Sequence, residues 1–295
     1  MYQEPPAAGD VAALHAGLYA GAIYRFRALP EMAALVAAAR GFVEERLHPH
    51  HPPEIHRHHD PVALPVLLEG VQRDFSRWHE AKRLWRALFE AIGLDPASTA
   101  RDRLVVRFQI HSDPDAPPAW ARSTATVGFH RDSWGTNLPA QVNWWAPVWP
   151  ITAGRTFAIH PGLWDQPIPN NSRDFDMAAI MAKLRDAPGT VERGEMAPGP
   201  TIAIDSAGGV PVLLDPGEII AFSAQHAHVG VPNHTGLTRI SLETRTLSID
   251  DHRTGRGAPN VDGKAKWQTP GLFRRLSDGM LLHDILGCER LEAMP

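Results

Sequence analysis

Two side chains that bind divalent metals, His130 and Asp132, lie two residues apart, and His226-Ala227-His228 answers them far along the chain. In an extended strand residues i and i+2 point to one face, so an imidazole and a carboxylate at this spacing can reach a single ion. Two histidines and one carboxylate on one face of a metal, with its other positions open, are the ligand set of non-haem iron(II) oxygenases. Either His226 or His228 can complete the set, because they are themselves two residues apart. Arg239 and Arg245 follow. A guanidinium is always charged and meets a carboxylate through two parallel hydrogen bonds, which suits it to hold an acidic small molecule beside the metal. An isolated His-x-Asp arises by chance in many sequences; its weight here comes from the second half.

That second half runs Phe222-Ser223-Ala224-Gln225-His226-Ala227-His228-Val229-Gly230-Val231-Pro232-Asn233 and on to Thr238-Arg239-Ile240-Ser241-Leu242. It resembles the phytanoyl-CoA dioxygenase-like branch of the iron(II)/2-oxoglutarate oxygenases, in which a strand-end histidine precedes a Pro-Asn turn and then an arginine. Phe129-His130-Arg131-Asp132-Ser133-Trp134, Gln141-Val142-Asn143-Trp144-Trp145 and Pro161-Gly162 resemble the same group. The resemblance spans residues 103–250.

It implies His130, Asp132 and His228 as ligands of Fe(II), with His226 lining the pocket, and Arg239 on the distal carboxylate of 2-oxoglutarate, with Ser241 adding a hydroxyl. Arg245, further along the same strand, is the competing partner, or else binds an acidic substrate or makes a structural ion pair. Gln141, Asn143 and Trp145 share a strand face and are candidates for touching the co-substrate. Trp134, His226, Arg122 and Arg245 are candidates for touching substrate. The implied cofactors are Fe(II), 2-oxoglutarate and O2, with decarboxylation of 2-oxoglutarate to succinate. Halogenase relatives lack a carboxylate at the position of Asp132, so hydroxylation or a related oxidation is implied and chlorination is not. The implied substrate is a small molecule such as an amino acid or secondary metabolite. Two alternatives stay open: a cupin-like metal enzyme that does not use 2-oxoglutarate, and a ligand-binding β-sandwich without catalysis.

The elements that must position these residues change character along the chain. Residues 1–102 read as a helical region. Met32–Val43 carries strong helix formers at helical spacing behind Pro30, and a second helix is expected from Pro65 to Ile92, stopped by Gly93. From Leu104-Val105-Val106 the pattern turns to strands, with candidates at Thr124–Phe129, Ala140–Val148, Arg155–His160, Pro211–Leu214, Glu218–Ala224 and Thr238–Leu247. Short strands between proline- and glycine-rich turns predict a mainly β core over 103–250, and the resemblance makes it a double-stranded β-helix, or jelly roll, with N- and C-terminal helices. Residues 163–200 interrupt this core as an insert with a helix near Phe175–Arg185, expected to cover the site. The tail, 251–295, reads as helical around Gly271–Leu286 and is open to packing on the core or to a subunit contact in a homo-oligomer.

Composition narrows the class further. The chain has 295 residues, 43% hydrophobic and 21% charged, with a net charge of −4, so no global basic field draws it to nucleic acid or an anionic membrane. One cysteine, Cys288, excludes an internal disulfide and fits a reducing compartment. No basic-then-apolar leader and no apolar run of spanning length is read, so a cytoplasmic protein is expected. His48, His50, His51, His56, His58 and His59 crowd a proline-containing loop without the spacing of a structural metal site.

Overall fold

The computed structural model describes residues 1–113, 124, 126–187 and 197–293. In chain order the regular elements are α1 (Val11–Tyr19), β1 (Tyr24–Phe26), α2 (Pro30–Leu47), α3 (Ala63–Arg77), α4 (His79–Ile92), β2 (Thr99–Arg101), β3 (Val105–Gln109), α5 (Ser133–Thr136), β4 (Gln141–Pro147) and β5 (Phe157–Ile159). They continue as α6 (Met177–Asp186), β6 (Val210–Pro211), β7 (Ile219–Ser223), β8 (His228–Gly230), β9 (Arg239–Ser248), α7 (Ile249–Arg253), β10 (Trp267–Gln268), β11 (Arg274–Arg275), α8 (Leu282–Leu286) and β12 (Glu292–Ala293).

The helical first part is built as its apolar stripes require. Pro30 opens α2, where its missing N–H is no loss. In α3 the buried Leu64, Leu68, Val71 and Phe75 recur at three and four residues and so share one face. The single helix expected over Pro65–Ile92 is instead two, α3 and α4, broken at Trp78, whose backbone is extended (φ −66°, ψ 122°). The break lets the Trp78 ring pack at 4.7 Å from Phe42 and 6.0 Å from Phe75, a tertiary contact that the local helical pattern does not contain. Gly93 ends α4 with φ 105°, its N–H reaching the carbonyls of Phe89 and Glu90.

β9 is the centre of a seven-stranded antiparallel sheet in the order β1-β7-β4-β9-β2-β11, with β3 also paired to β9. Its register sets Asn143 opposite Arg245, Trp145 opposite Glu243 and Gln109 opposite Arg239. Because side chains alternate across the sheet, the two faces receive different residues. Val106, Phe108, Val142, Trp144, Ala146, Ile240 and Leu242 face α2, α3 and α4 in the main core. Full burial of one such aliphatic or phenylalanine side chain contributes about 1.5–3 kcal/mol. The opposite face carries Trp145, Ile220 and Phe222, which pack against Phe157 and Ile159 of a second, three-stranded sheet, β6-β5-β8, and against Val212 and Leu214 just beyond β6. Helices, large sheet and small sheet therefore stack as three layers, and the space between the two sheets is where the chemistry-bearing residues converge.

Three expectations need correction. Among the described residues of Thr124–Phe129 there is no strand, and Ala125 lies outside the described residues. The tail around Gly271–Leu286 is not one helix but a 3-10 turn at Pro270–Leu272, the short β11 and the five-residue α8, because Phe273 and Leu282 are drawn into a separate apolar cluster with Leu138 and Leu247. The strand expected over Pro211–Leu214 pairs only at Val210–Pro211, since Leu213 and Leu214 extend past the edge of β5. Among the described residues no helix is long and apolar enough to cross a membrane.

Candidate metal centre

His130 and His228 meet through the backbone. Each donates its N–H to the other's carbonyl, at 3.0 and 2.9 Å, as an isolated antiparallel bridge. Residues exchanging both bonds in this way project their side chains to the same side, and the rings lie 4.2 Å apart. Asp132 arrives differently from the strand geometry expected of it: its backbone is helical (φ −62°, ψ −32°) and it stands immediately before α5. The turn brings its carboxylate to 3.7 Å from His130 Nε2. One donor atom from each of His130, Asp132 and His228 lies within 4.8 Å of the others, and among the described residues no other trio of metal-binding side chains does so.

The imidazoles are set for metal binding by what their other nitrogens do. His130 Nδ1–H donates to the Gly128 carbonyl at 2.9 Å and His228 Nδ1–H to the His226 carbonyl at 2.9 Å. A carbonyl can only accept, so both rings carry the proton on Nδ1 and present the Nε2 lone pair inward. Burial, with His130 close by, lowers the His228 pKa to about 4, which keeps it neutral and available. Burial alone would raise the Asp132 pKa, but Arg245 and the two histidines override it and hold the carboxylate well below its usual range. Three groups grip that carboxylate or its partners. Asn143 Nδ2 donates to Oδ2 at 2.5 Å, Gln141 Nε2 orients Asn143 by donating to its Oδ1 at 2.9 Å, and Arg245 Nη2 donates to Oδ1 at 2.9 Å. Arg245 also reaches Asp102 at 3.4 Å.

Arg239 occupies the other end of the same β9 face. It is 6% exposed, its Nε and Nη1 have no hydrogen-bond partner among the described residues, and burial pushes its pKa down to about 10. A buried guanidinium with free donors is costly unless an anion meets it. Its carbon lies 5.9 Å from the Trp145 ring centre; Trp145 is 5.1 Å from Phe157, which is 5.9 Å from His228. Aromatic rings thus bridge the arginine to the metal ligands. Trp145 Nε1, Gln109 Oε1 and Gln141 Oε1 are also buried without partners. Ser241 Oγ donates to Glu243 at 3.3 Å, and Arg107 Nε donates to both oxygens of Glu243 at 2.8 and 2.9 Å.

The remaining candidates fall elsewhere. His226 is buried beneath Trp164, ring centres 4.5 Å apart, with Nδ1 and Nε2 each 3.2 Å from a backbone carbonyl, of Ser223 and Gly21. It stands outside the metal-binding trio and contributes its carbonyl to His228. Trp134 is wholly buried with Ile168 and Ala227, its Nε1 donating to Asp262 at 2.7 Å. Arg122 lies outside the described residues.

Three residues were missed from sequence. Glu243 had a signal: β9 reads Arg239, Ser241, Glu243, Arg245 at period two, a polar face on an otherwise buried strand. Arg131 and Asp262 had none. Arg131, between the two upstream ligands, is 1% exposed; it pairs with Asp262 at 3.1 Å and donates to the carbonyls of Gln225, Leu163 (2.5 Å) and Gln166 (2.9 Å). This clamp ties the segments that carry His130 and His228 to Leu163 and Gln166 and to Asp262.

Neither a protein-family model nor a curated protein sequence matches the chain. Solved structures similar to it include the apo form of ThoJ, described as a non-heme monooxygenase, at 14% identity, covering 80% of this chain and 77% of that one, TM-score 0.46. EvdO2 from Micromonospora carbonacea var. aurantiaca is similar at 14% identity, covering 77% and 86%, TM-score 0.43. The epimerase SnoN, in complex with Fe3+, alpha ketoglutarate and nogalamycin RO, is similar at 17% identity, covering 81% and 85%, TM-score 0.40.

Proposed function

We propose that this chain is an Fe(II)/2-oxoglutarate-dependent oxygenase acting on a small molecule, of the phytanoyl-CoA dioxygenase-like branch, with the two sheets forming a double-stranded β-helix. The observation that carries the reading is the coincidence of a His-Asp-His donor set with a buried Arg239, two of whose donors lack a hydrogen-bond partner among the described residues, linked to it through Trp145 and Phe157. The donor set suits a ferrous ion, and the free guanidinium donors suit a carboxylate. His130, Asp132 and His228 would hold the metal; Arg239 would take the distal carboxylate of 2-oxoglutarate. When bound, iron and 2-oxoglutarate supply oxidation of an unactivated C–H bond of the substrate by O2, with 2-oxoglutarate decarboxylated to succinate.

The chain's own residues do the rest. Asn143 and Arg245 hold Asp132 in place, and Gln141 holds Asn143. Phe157 and Phe222 stand beside His228 and Trp145 packs behind them, an aromatic wall that would keep water from a bound metal. Asp132 occupies the position where chloride would need to bind, which favours hydroxylation or a related oxidation over chlorination. The test is anaerobic titration of the metal-free protein with Fe(II) and 2-oxoglutarate, following the weak visible charge-transfer absorption of the chelate. The absorption is expected in the wild type, lost in Asp132→Ala and weakened in Arg239→Ala. A folded protein that binds Fe(II) but develops no absorption with 2-oxoglutarate sinks the proposal in favour of a metal enzyme without this co-substrate.

A further inference from the structure

We infer that the Arg245 end of this site holds an anionic group of the substrate, a carboxylate or phosphate, on the guanidinium of Arg103; the inference rests on the oxygenase reading for what fills the rest of the site. The other described arginines of this sheet face are already engaged or lie at its far end. Arg107 is committed to Glu243, and Arg245 to Asp132 and Asp102. Arg239 is buried at the opposite end of β9. Arg103 is left. It is exposed, and among the described residues its side chain makes no hydrogen bond or ion pair.

Arg103 is nevertheless not an ordinary surface arginine. It lies at the Arg245 end of the face, where the Asp102 N–H donates to the Arg245 carbonyl at 2.9 Å and Thr244 Oγ1 to the Arg103 carbonyl at 3.2 Å. Protein packed around it lowers its pKa, and the charges it senses are Asp102, Arg107, Arg245 and Glu243. The register that sets Val105 opposite Glu243, carried back two residues, brings Arg103 beside Arg245, and a guanidinium stays charged there at neutral pH.

The charge balance points the same way. Among the described residues, Arg103, Arg107, Arg239 and Arg245 face three carboxylates, Asp102, Asp132 and Glu243. A ferrous ion and a 2-oxoglutarate dianion cancel each other, so the filled site retains one positive charge. A substrate anion neutralises it, and a fork of guanidinium donors orients that anion's oxygens.

The experiment loads the full-length protein with Ni(II) and 2-oxoglutarate, so that metal and Arg239 are engaged, and titrates benzoate, phenyl phosphate and neutral benzamide by ligand-observed NMR. At least one anion is expected to bind about tenfold or more tighter than benzamide. Arg103→Gln removes that preference and Arg103→Lys restores part of it, with melting curves confirming that both variants fold. The stronger of benzoate and phenyl phosphate identifies the anion class. Equal binding of acid and amide, a preference that survives Arg103→Gln, or no anion binding up to about 20 mM overturns the inference. Should 2-oxoglutarate fail to load, the oxygenase reading falls by itself, and the same anion titration on the metal-free protein decides Arg103 independently.

Discussion

Replacing Arg239 by methionine should make the ligand-free protein more stable and the co-substrate complex far weaker. Methionine keeps the unbranched stem that packs near Trp145 and removes only the charge. Burial lowers the Arg239 pKa from 12.5 to about 10. At about 1.4 kcal/mol per unit this is about 3 kcal/mol of unfavourable free energy at neutral pH. The sign is clear: the unfolded chain holds this proton more tightly than the folded one, so the charged group weakens the fold at every pH below its folded pKa and is relieved only above it. That net penalty already includes the attraction to Glu243, and the methionine must repack beside Trp145, so a stabilisation of about 1–3 kcal/mol is expected in urea unfolding of the metal-free protein. In the complex the same guanidinium is half of a buried ion pair, whose loss costs about 2–5 kcal/mol, or about thirty- to several-thousand-fold in Kd for 2-oxoglutarate by calorimetry on the Ni(II)-loaded protein. Opposite signs in the two assays mark a side chain kept for binding. If Arg239→Met destabilises the free protein, or binds 2-oxoglutarate within about threefold of wild type, the guanidinium is structural and the reasoning fails.

Three other outcomes follow from the same geometry. Asn143→Leu removes the donor to Asp132 Oδ2 and should weaken Ni(II) or Fe(II) affinity about 10–100-fold with the fold retained; unchanged affinity in a metal titration would show that Arg245 alone positions the carboxylate. Arg131→Met leaves Asp262 buried and uncompensated and should cost about 3–5 kcal/mol in urea unfolding, while the double replacement Arg131→Met/Asp262→Leu recovers much of it; a single-variant loss under about 1 kcal/mol would dismiss the clamp. Burial lowers His56 and His226 to about 4, so the unfolded chain protonates first as pH falls from 6.5, and stability should be full above 6.5 and decline toward 4. Urea midpoints at pH 7 and pH 5 should differ less in His56→Gln than in wild type, and an identical difference would exclude His56 as a contributor.

By itself the sequence determined the residues that can do chemistry and the broad kind of fold, because both are written in local patterns. His130, Asp132 and His228 were legible as metal-binding types at informative spacing. β4, β7 and β9 were legible as apolar, β-branched runs, and α2, α3 and α4 as helical stripes with proline and glycine at their ends. Only the tertiary structure decided how these parts meet. His130 and Asp132 converge through a bridge to His228 and a helical turn, not through the strand alternation that their spacing implied. Arg239 and Arg245 stand on one strand face with opposite assignments, one buried with free donors and the other bound to Asp132 and Asp102. Those roles depend on which carboxylates the sheet register brings within reach. The break at Trp78 and the pairing of Arg131 with Asp262 likewise rest on contacts between segments far apart in the chain. Such contacts arise only when burial of the core forces distant residues together, and no local pattern records them.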